Sequence, residues 1–326
     1  MTEMKTRSQG PRVRRLGTAA AWVAAVSCLP YLIIKLLWTF DISLGITDQS
    51  VLDSPGWMAG NALMALIQLA ALALIVTLTR PWARRVPAWL LLFPAWVGTG
   101  LLFQVVVGVL IGVFASGGSS LSTGAFQPWV FAVVYASFAV EGAALAVAFA
   151  CYVQGRWGQL LSERTAEVLA RGRLGARSWP EAHIAGMAEA VAAMAVAVAV
   201  VFGYWAAGGS LGLSDAAPQA GWVLQASGAA WAVIAAVGLL GLAGRWGHQT
   251  RFWLPVALTW IGSGALAAFD GLMLTLNRLL MFGAAASEPG WSVTDTVLLT
   301  KVLVGVLAAA VGVLAVRAAI REPAAT

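Results

Sequence analysis

Polar and apolar residues segregate along this chain instead of alternating. Eight stretches of roughly 20 or more residues are nearly free of charge: about 18–40, 58–79, 88–114, 128–153, 185–207, 221–243, 252–277 and 293–317. As helices, each is long enough to cross about 30 Å of hydrocarbon. The strands of a membrane β-barrel would be about 10 residues long with alternating polarity, and these runs do not alternate. The pattern predicts an all-α, polytopic membrane protein with eight transmembrane helices.

The eight runs fall into two matched sets of four. Trp38-x4-Ser43-Leu44-Gly45-Ile46-Thr47-Asp48 matches Trp205-x4-Ser210-Leu211-Gly212-Leu213-Ser214-Asp215 at an offset of 167. Gly56-Trp57 matches Gly221-Trp222, and Arg80 matches Arg245, both at 165. Trp89-Leu90 matches Trp253-Leu254, and Trp96-Val97-Gly98-Thr99-Gly100 matches Trp260-Ile261-Gly262-Ser263-Gly264, both at 164. Matches in one order with a slowly drifting offset read as a tandem duplication. Four helices per copy is an even number, so the two copies run parallel, related by an axis along the membrane normal. The expected organisation is a first four-helix repeat over 1–153, a cytoplasmic linker over 154–182 and a second repeat over 183–326. In the linker, Trp157, Leu160, Leu161 and Val168 fall near one face of a candidate amphipathic helix, with Arg164 and Arg171 at its edge. The repeated Ser-Leu-Gly-x-[Thr/Ser]-Asp reads as an external turn ending in a polar cap. Trp96 and Trp260 beside Gly-x-Gly, and Gly108-x3-Gly112, mark close helix packing.

Composition agrees. The chain is 60% hydrophobic and 10% charged, against about 25% charged in soluble domains. The net charge of +6 would suggest nucleic acid until the charges are placed. Of 20 Lys and Arg, 17 fall in the N-terminus, 80–85, 156–177, 245–251 and 317–321. The positive-inside rule puts both termini and those connections in the cytoplasm, so the basic balance reports orientation in the cell membrane and contact with anionic lipid, not DNA or RNA. The apolar run after Arg15 is longer than a signal-peptide core and is read as the first span. Cys28 and Cys151 lie in different spans at different depths, which argues against a disulfide. His183 and His248 lie at the cytoplasmic border, so no histidine pair is available to a haem, and no metal or cofactor is expected.

The candidate chemistry lies in charges within the spans. Two of the three lysines, Lys35 and Lys301, are intramembrane, as are Glu141, Asp270 and, near the cytoplasmic edge, Glu189. A charge at helix centre costs about 2.5–3.5 kcal/mol on insertion scales, so such residues face protein, a partner or water. Each has polar company on its own face: Cys28, Tyr31 and Trp38 with Lys35, Ser137 with Glu141, Ser263 and Asn277 with Asp270, Thr294 with Lys301, and Asn61 with Gln68 on the second span. Pro30 is an expected kink. One reading makes Lys35–Asp270 and Glu141–Lys301 buried ion pairs that fix helix packing. Another makes Lys35, Glu141, Asp270 and Lys301 a hydrophilic site between the repeats, supported by Tyr31, Gln68, Ser137, Ser263 and Asn277 and open toward the outer face. A third has a lysine snorkelling to the surface. None of these charges recurs in the other copy; Lys35 lies opposite Phe202.

Walker, HExxH, CxxC, GxSxG and Asp-rich prenyltransferase patterns are absent from the sequence. Gly262-Ser263-Gly264 has the look of a rhomboid-protease serine, but no intramembrane His accompanies it. The segment Cys28-x-Pro30-Tyr31-x3-Lys35-x2-Trp38, with Pro94-x-Trp96-Val97-Gly98-Thr99-Gly100, resembles a group of uncharacterised multi-pass membrane proteins of high-GC actinobacteria. The resemblance covers most of the chain and implies no activity. The expected function is a permease-like or ligand-binding membrane protein taking a small molecule or ion. The alternatives are an accessory or sensor subunit with a membrane-protein partner or a second copy of itself, and, third, an enzyme acting on a lipid.

Overall fold

The computed structural model describes residues 11–53, 56–80, 82, 85–116, 124–174, 182–213, 222–275 and 293–320. Those residues form helices α1 (Pro11–Thr39), α2 (Trp57–Thr79), α3 (Ala88–Ser116), α4 (Pro128–Ser162), α5 (Thr165–Leu174), α6 (Ile184–Ala206), α7 (Trp222–Leu242), α8 (Trp253–Thr275) and α9 (Val293–Ile320), with a 3-10 turn at Gln49–Val51. Among the described residues there is no strand, only the isolated bridges Ile46–Phe126 and Arg164–Arg251.

Seven of the helices, α1 to α4, α6, α7 and α9, are long and apolar enough to cross a membrane. The chain is a multi-pass membrane protein. The remaining expected span, 252–277, is helical over Trp253–Thr275 and as long as α2 or α6 at 23 residues. It is not among the seven counted over the described residues. Lipid would leave unpaired backbone groups unsatisfied, which is why long apolar runs adopt helix throughout.

α1 runs unbroken through Pro30, where a kink was expected. The break in regular geometry lies instead at Trp157 in α4 (φ −133°, ψ 15°), close to where the cytoplasmic linker was expected to begin.

Two compact units divide between Arg156 and Trp157. The first holds α1, α2, α3 and α4 up to the break. Its centre is a cluster of Ala21, Ala24, Ala25 and Cys28 from α1, Ile75 from α2, and Leu145 and Ala148 from α4. Toward the other end, Ile34 and Trp38 pack with Ile46 and Val130. The second holds the end of α4, α5, α6, α7, α8 as far as Gly271, and α9. Here the linker does form helix, and its apolar face is covered by protein. Val168 is fully buried against Leu242, Phe252, Ala315 and Ala319, with Leu160 and Leu161 alongside. The start of α5 is clipped to the 247–252 segment: Thr165 donates from its backbone N–H to the Thr250 carbonyl (2.9 Å), and Phe252 N–H donates to the Glu163 carbonyl (2.9 Å). Arg171 and Glu163 form an ion pair over the connection.

The motif at the end of α1 is built like the motif at the end of α6. The Trp38 indole N–H donates to the Leu44 carbonyl at 3.0 Å, and Trp205 donates to the Leu211 carbonyl at 2.9 Å. Gly45 and Gly212 both take the left-handed conformation, φ +77° and +82°, which suits glycine. Each glycine's carbonyl accepts from the N-terminal end of a later helix: Gly45 from Gln127 N–H (2.8 Å) before α4, Gly212 from the Thr294 hydroxyl (3.1 Å) in α9. The polar cap expected of this motif is present at Asp48, which accepts from the Ser50 hydroxyl (2.7 Å) and backbone N–H (3.0 Å). Those bonds hold the Asp48 carboxyl below the usual range. Its counterpart Asp215 lies outside the described residues.

Small residues bring the helices of the second unit together. A Cβ on Gly238 of α7 would land on the Thr259 backbone nitrogen of α8, and one on Gly262 would press on the Ala235 backbone. Gly98, the sequence counterpart of Gly262, has open space around it. The close packing expected at Gly-x-Gly is therefore present at Gly262 and not at Gly98, and Gly108-x3-Gly112 lies outside the residues whose surroundings are described. Gly238→Ala should lower thermal stability in detergent by about 1–3 kcal/mol, because overpacked backbone has nowhere to move. Gly98→Ala should be neutral or slightly stabilising. Melting curves followed by size-exclusion chromatography check this, and equal melting of the two variants would refute the packing argument.

Candidate functional site

The charges expected at one site have their described partners in separate places. Lys35 and Glu141 belong to the first unit, Lys301 and Asp270 to the second. Asn277 lies outside the described residues.

In the second unit, Lys301 reaches from α9 to an ion pair with Asp270 of α8. Asp270 thus pairs with Lys301, where depth alone had suggested Lys35. The ammonium is 2% exposed and lies 4.6 Å from the centre of the Phe202 ring of α6. A Cβ on Gly228 of α7 would meet both Phe202 and the lysine amine. Four helices therefore close around one neutralised pair. Ser263 is fully buried about two turns along the same face of α8, with its hydroxyl donating to the Trp260 carbonyl (3.1 Å). Glu189, placed at the cytoplasmic edge, pairs with Arg245 (2.7 Å) and stays partly exposed.

In the first unit, α1, α2 and α4 carry two polar rungs. The outer rung is Lys35, whose ammonium donates to the Asn61 side-chain carbonyl at 2.9 Å. It also lies 4.6 Å from the Trp38 ring centre and 5.4 Å from that of Tyr31. Asn61 is fixed in turn by donating to the Trp57 carbonyl (2.9 Å). The inner rung is Glu141, 2% exposed, which accepts from the Gln68 amide at 2.8 Å. The Cys28 thiol also hydrogen-bonds to Glu141. Ser137 is buried one turn away on α4, and Tyr31 packs on Phe138 with ring centres 4.6 Å apart.

Helix geometry explains the ladder. Cys28 and Lys35 are seven residues apart on α1, and Asn61 and Gln68 are seven apart on α2. Two such spacings on antiparallel neighbours stack one rung about 10 Å below the other. The tie from Lys35 to Asn61 was not expected from sequence, although the matched spacing is a signal that could have found it. Phe202 and Gly228 beside Lys301 carried no such signal. Chemically, Lys35 presents a cation whose described partners are all neutral, and Glu141 presents a carboxyl held by an amide and a thiol. Among the described residues, no group of three or more His, Cys, Asp and Glu comes together to hold a metal ion.

No family model matches this chain, and no curated protein or solved structure matches it either.

The two lysines should respond differently to mutation. Asp270→Asn strands a buried ammonium and should cost about 3–5 kcal/mol, while Asp270→Leu with Lys301→Met should recover most of it. Lys35→Met removes a cation with no ionic partner and should cost clearly less than Asp270→Asn. Thermal melting of the four purified proteins decides the order; a double variant as unstable as Asp270→Asn would show that Lys301–Asp270 is not a simple ion pair.

Proposed function

We propose that this chain is an eight-span protein of the cell membrane, with both termini cytoplasmic, built from two tandem parallel four-helix repeats. In permease fashion it binds a small polar solute within the first repeat. The repeat reading is supported by the shared Trp-to-Leu hydrogen bond, left-handed glycine and glycine-to-helix bond of the two turns. The eighth span is α8: it has membrane-crossing length, and its one charge, Asp270, is neutralised by Lys301.

The observation that carries the functional reading is Lys35. A lysine in a membrane helix that serves packing is expected to meet a carboxylate, as Lys301 does. Lys35 instead meets the Asn61 amide and two aromatic rings. An ammonium left uncompensated at that depth is a standing cost of the kind that marks a ligand or ion pathway. Glu141 and Gln68, about two turns deeper, continue the polar stripe toward the middle of the membrane.

Span number and orientation have a direct test. Eight spans leave the C-terminus inside with the N-terminus, whereas seven would put it outside. A green fluorescent protein fused after Thr326 should fluoresce, and alkaline phosphatase fused after Gly124 should be active. A dark C-terminal fusion would overturn the eight-span reading. For function, proteoliposomes are screened for uptake of labelled organic anions, cations and zwitterions. A solute taken up by the wild type should be lost in Lys35→Gln and sharply reduced in Glu141→Gln, with both variants monodisperse. Uptake indifferent to both changes would remove the site. Absence of any uptake together with stable co-purification of a second membrane protein would favour an accessory subunit.

A further inference from the structure

At the outer end of the same stripe, α1 and α2 enclose an open cavity of about 520 Å³. Pockets for small organic ligands run from about 300 to 1,000 Å³. Its walls include Trp38 and Thr39 of α1, Leu52, and Trp57, Met58 and Ala62 of α2, with Asp41 at the rim. Lys35 lies one turn below Trp38 and Thr39, and its bond to Asn61 is made next to Ala62. Lys35 and Asn61 thus lie on the helical turns next to the wall, outside its lining.

The polar groups around this cavity are mostly donors. The Trp57 indole N–H is buried and has no acceptor among the described residues. Trp38, by contrast, uses its indole on Leu44. A buried donor without an acceptor is unusual and calls for an explanation. The N-cap of α2 is Gly56, which brings no side-chain acceptor, and the first turn contains no acid. Gly56, Trp57, Met58 and Ala59, at the positive end of this 23-residue helix, line the cavity. Lys35 adds a full charge, held only by a neutral amide that a stronger acceptor could displace. The one carboxylate in the wall, Asp41, is exposed. Water weakens its repulsion at the rim, while the field of Lys35 is less screened.

We infer that this cavity binds a small organic anion, a carboxylate on an apolar or aromatic body, with the carboxylate accepting from Lys35 and Trp57 and the body lying against Trp38, Leu52 and Met58. The inference rests on the site reading above and adds the ligand class and the point of entry. The same anionic chemistry could come from a free solute or from the headgroup of an acidic lipid.

The test titrates the full chain in phosphatidylcholine nanodiscs with three probes that share a ring: benzoate, benzamide and benzylamine. Benzoate should bind about tenfold tighter than benzamide or more, the gain expected of a hydrogen bond to a charged group. Lys35→Met should erase that preference and Lys35→Arg should keep it. Trp57→Phe, which keeps the ring and loses the N–H, should weaken benzoate and leave benzamide alone. Melting curves matched to wild type show that each variant is folded. Repeating the titration in phosphatidylglycerol discs separates the sources: a weaker apparent benzoate affinity there identifies a headgroup as the natural occupant, and an unchanged one identifies a free solute. If benzamide or benzylamine binds as well as benzoate, the anion class is overturned, and the site itself survives only if that binding still depends on Lys35. If no probe binds, or none responds to Lys35→Met, the cavity and the site reading fall together.

Discussion

An ammonium group in a membrane helix must find something to replace water. This chain meets that requirement in two ways within helices that are otherwise alike. Lys301 is enclosed by α6, α7, α8 and α9 and cancelled by Asp270. Such a pair returns part of the desolvation cost and fixes which faces of the helices meet, and breaking it strands a charge. Lys35 receives a hydrogen bond and two ring faces, with no opposite charge among its described contacts. The dielectric is low in both places, so the difference in compensation matters more than it would at a water-exposed surface. Among the described residues, the second unit is closed around its charge, and the first leaves Lys35 without an opposite one.

The two turns show why such a difference can arise without altering the scaffold. What the two turns share is local and geometric: an indole that ties the helix end to a carbonyl six residues on, a glycine whose left-handed backbone reverses the chain, and a carbonyl that accepts from the start of a later helix. All of these contacts lie at the ends of helices. Interior positions are then free to diverge while the turns hold the helix ends.

Much of the fold was legible in sequence because hydrocarbon imposes a single demand on every residue in it. The eight apolar runs coincide with α1 to α4 and α6 to α9, and most ends agree within a few residues. The linker was harder. Its apolar face was readable from Trp157, Leu160, Leu161 and Val168, but whether that face met lipid or protein was not, and Val168 on α5 proves to be packed against Leu242, Phe252, Ala315 and Ala319. At Pro30 the helix continues unbroken, because a proline forfeits one backbone hydrogen bond, which a long apolar helix can absorb. Most of the charged residues were identified, with buried Asp295 near the start of α9 the one missed, and their pairing was not. Depth along a helix constrains which residues share a level, not which helices adjoin. Chain connectivity carried the missing information: Asp270 lies near the end of α8 and Lys301 near the start of the next helix, and consecutive elements tend to be neighbours.

The sequence match between the two turns also sets Lys35 beside a second position. By the offset of the turn motif, Lys35 aligns with Phe202. In the second unit the Phe202 ring lies beneath an ammonium that comes from α9. A cation therefore lies near each of the two aligned positions, one rooted on α1 and one reaching in from α9. The reach from α9 brings Lys301 beside Asp270 on the adjoining helix, and the charge is cancelled. Lys35, rooted on α1, points instead at α2, where the residue at its level is Asn61. A carboxylate at position 61 would have made a second closed pair. An asparagine there holds the lysine in place without cancelling it, and that choice keeps the outer end of the stripe electrically available beside the cavity.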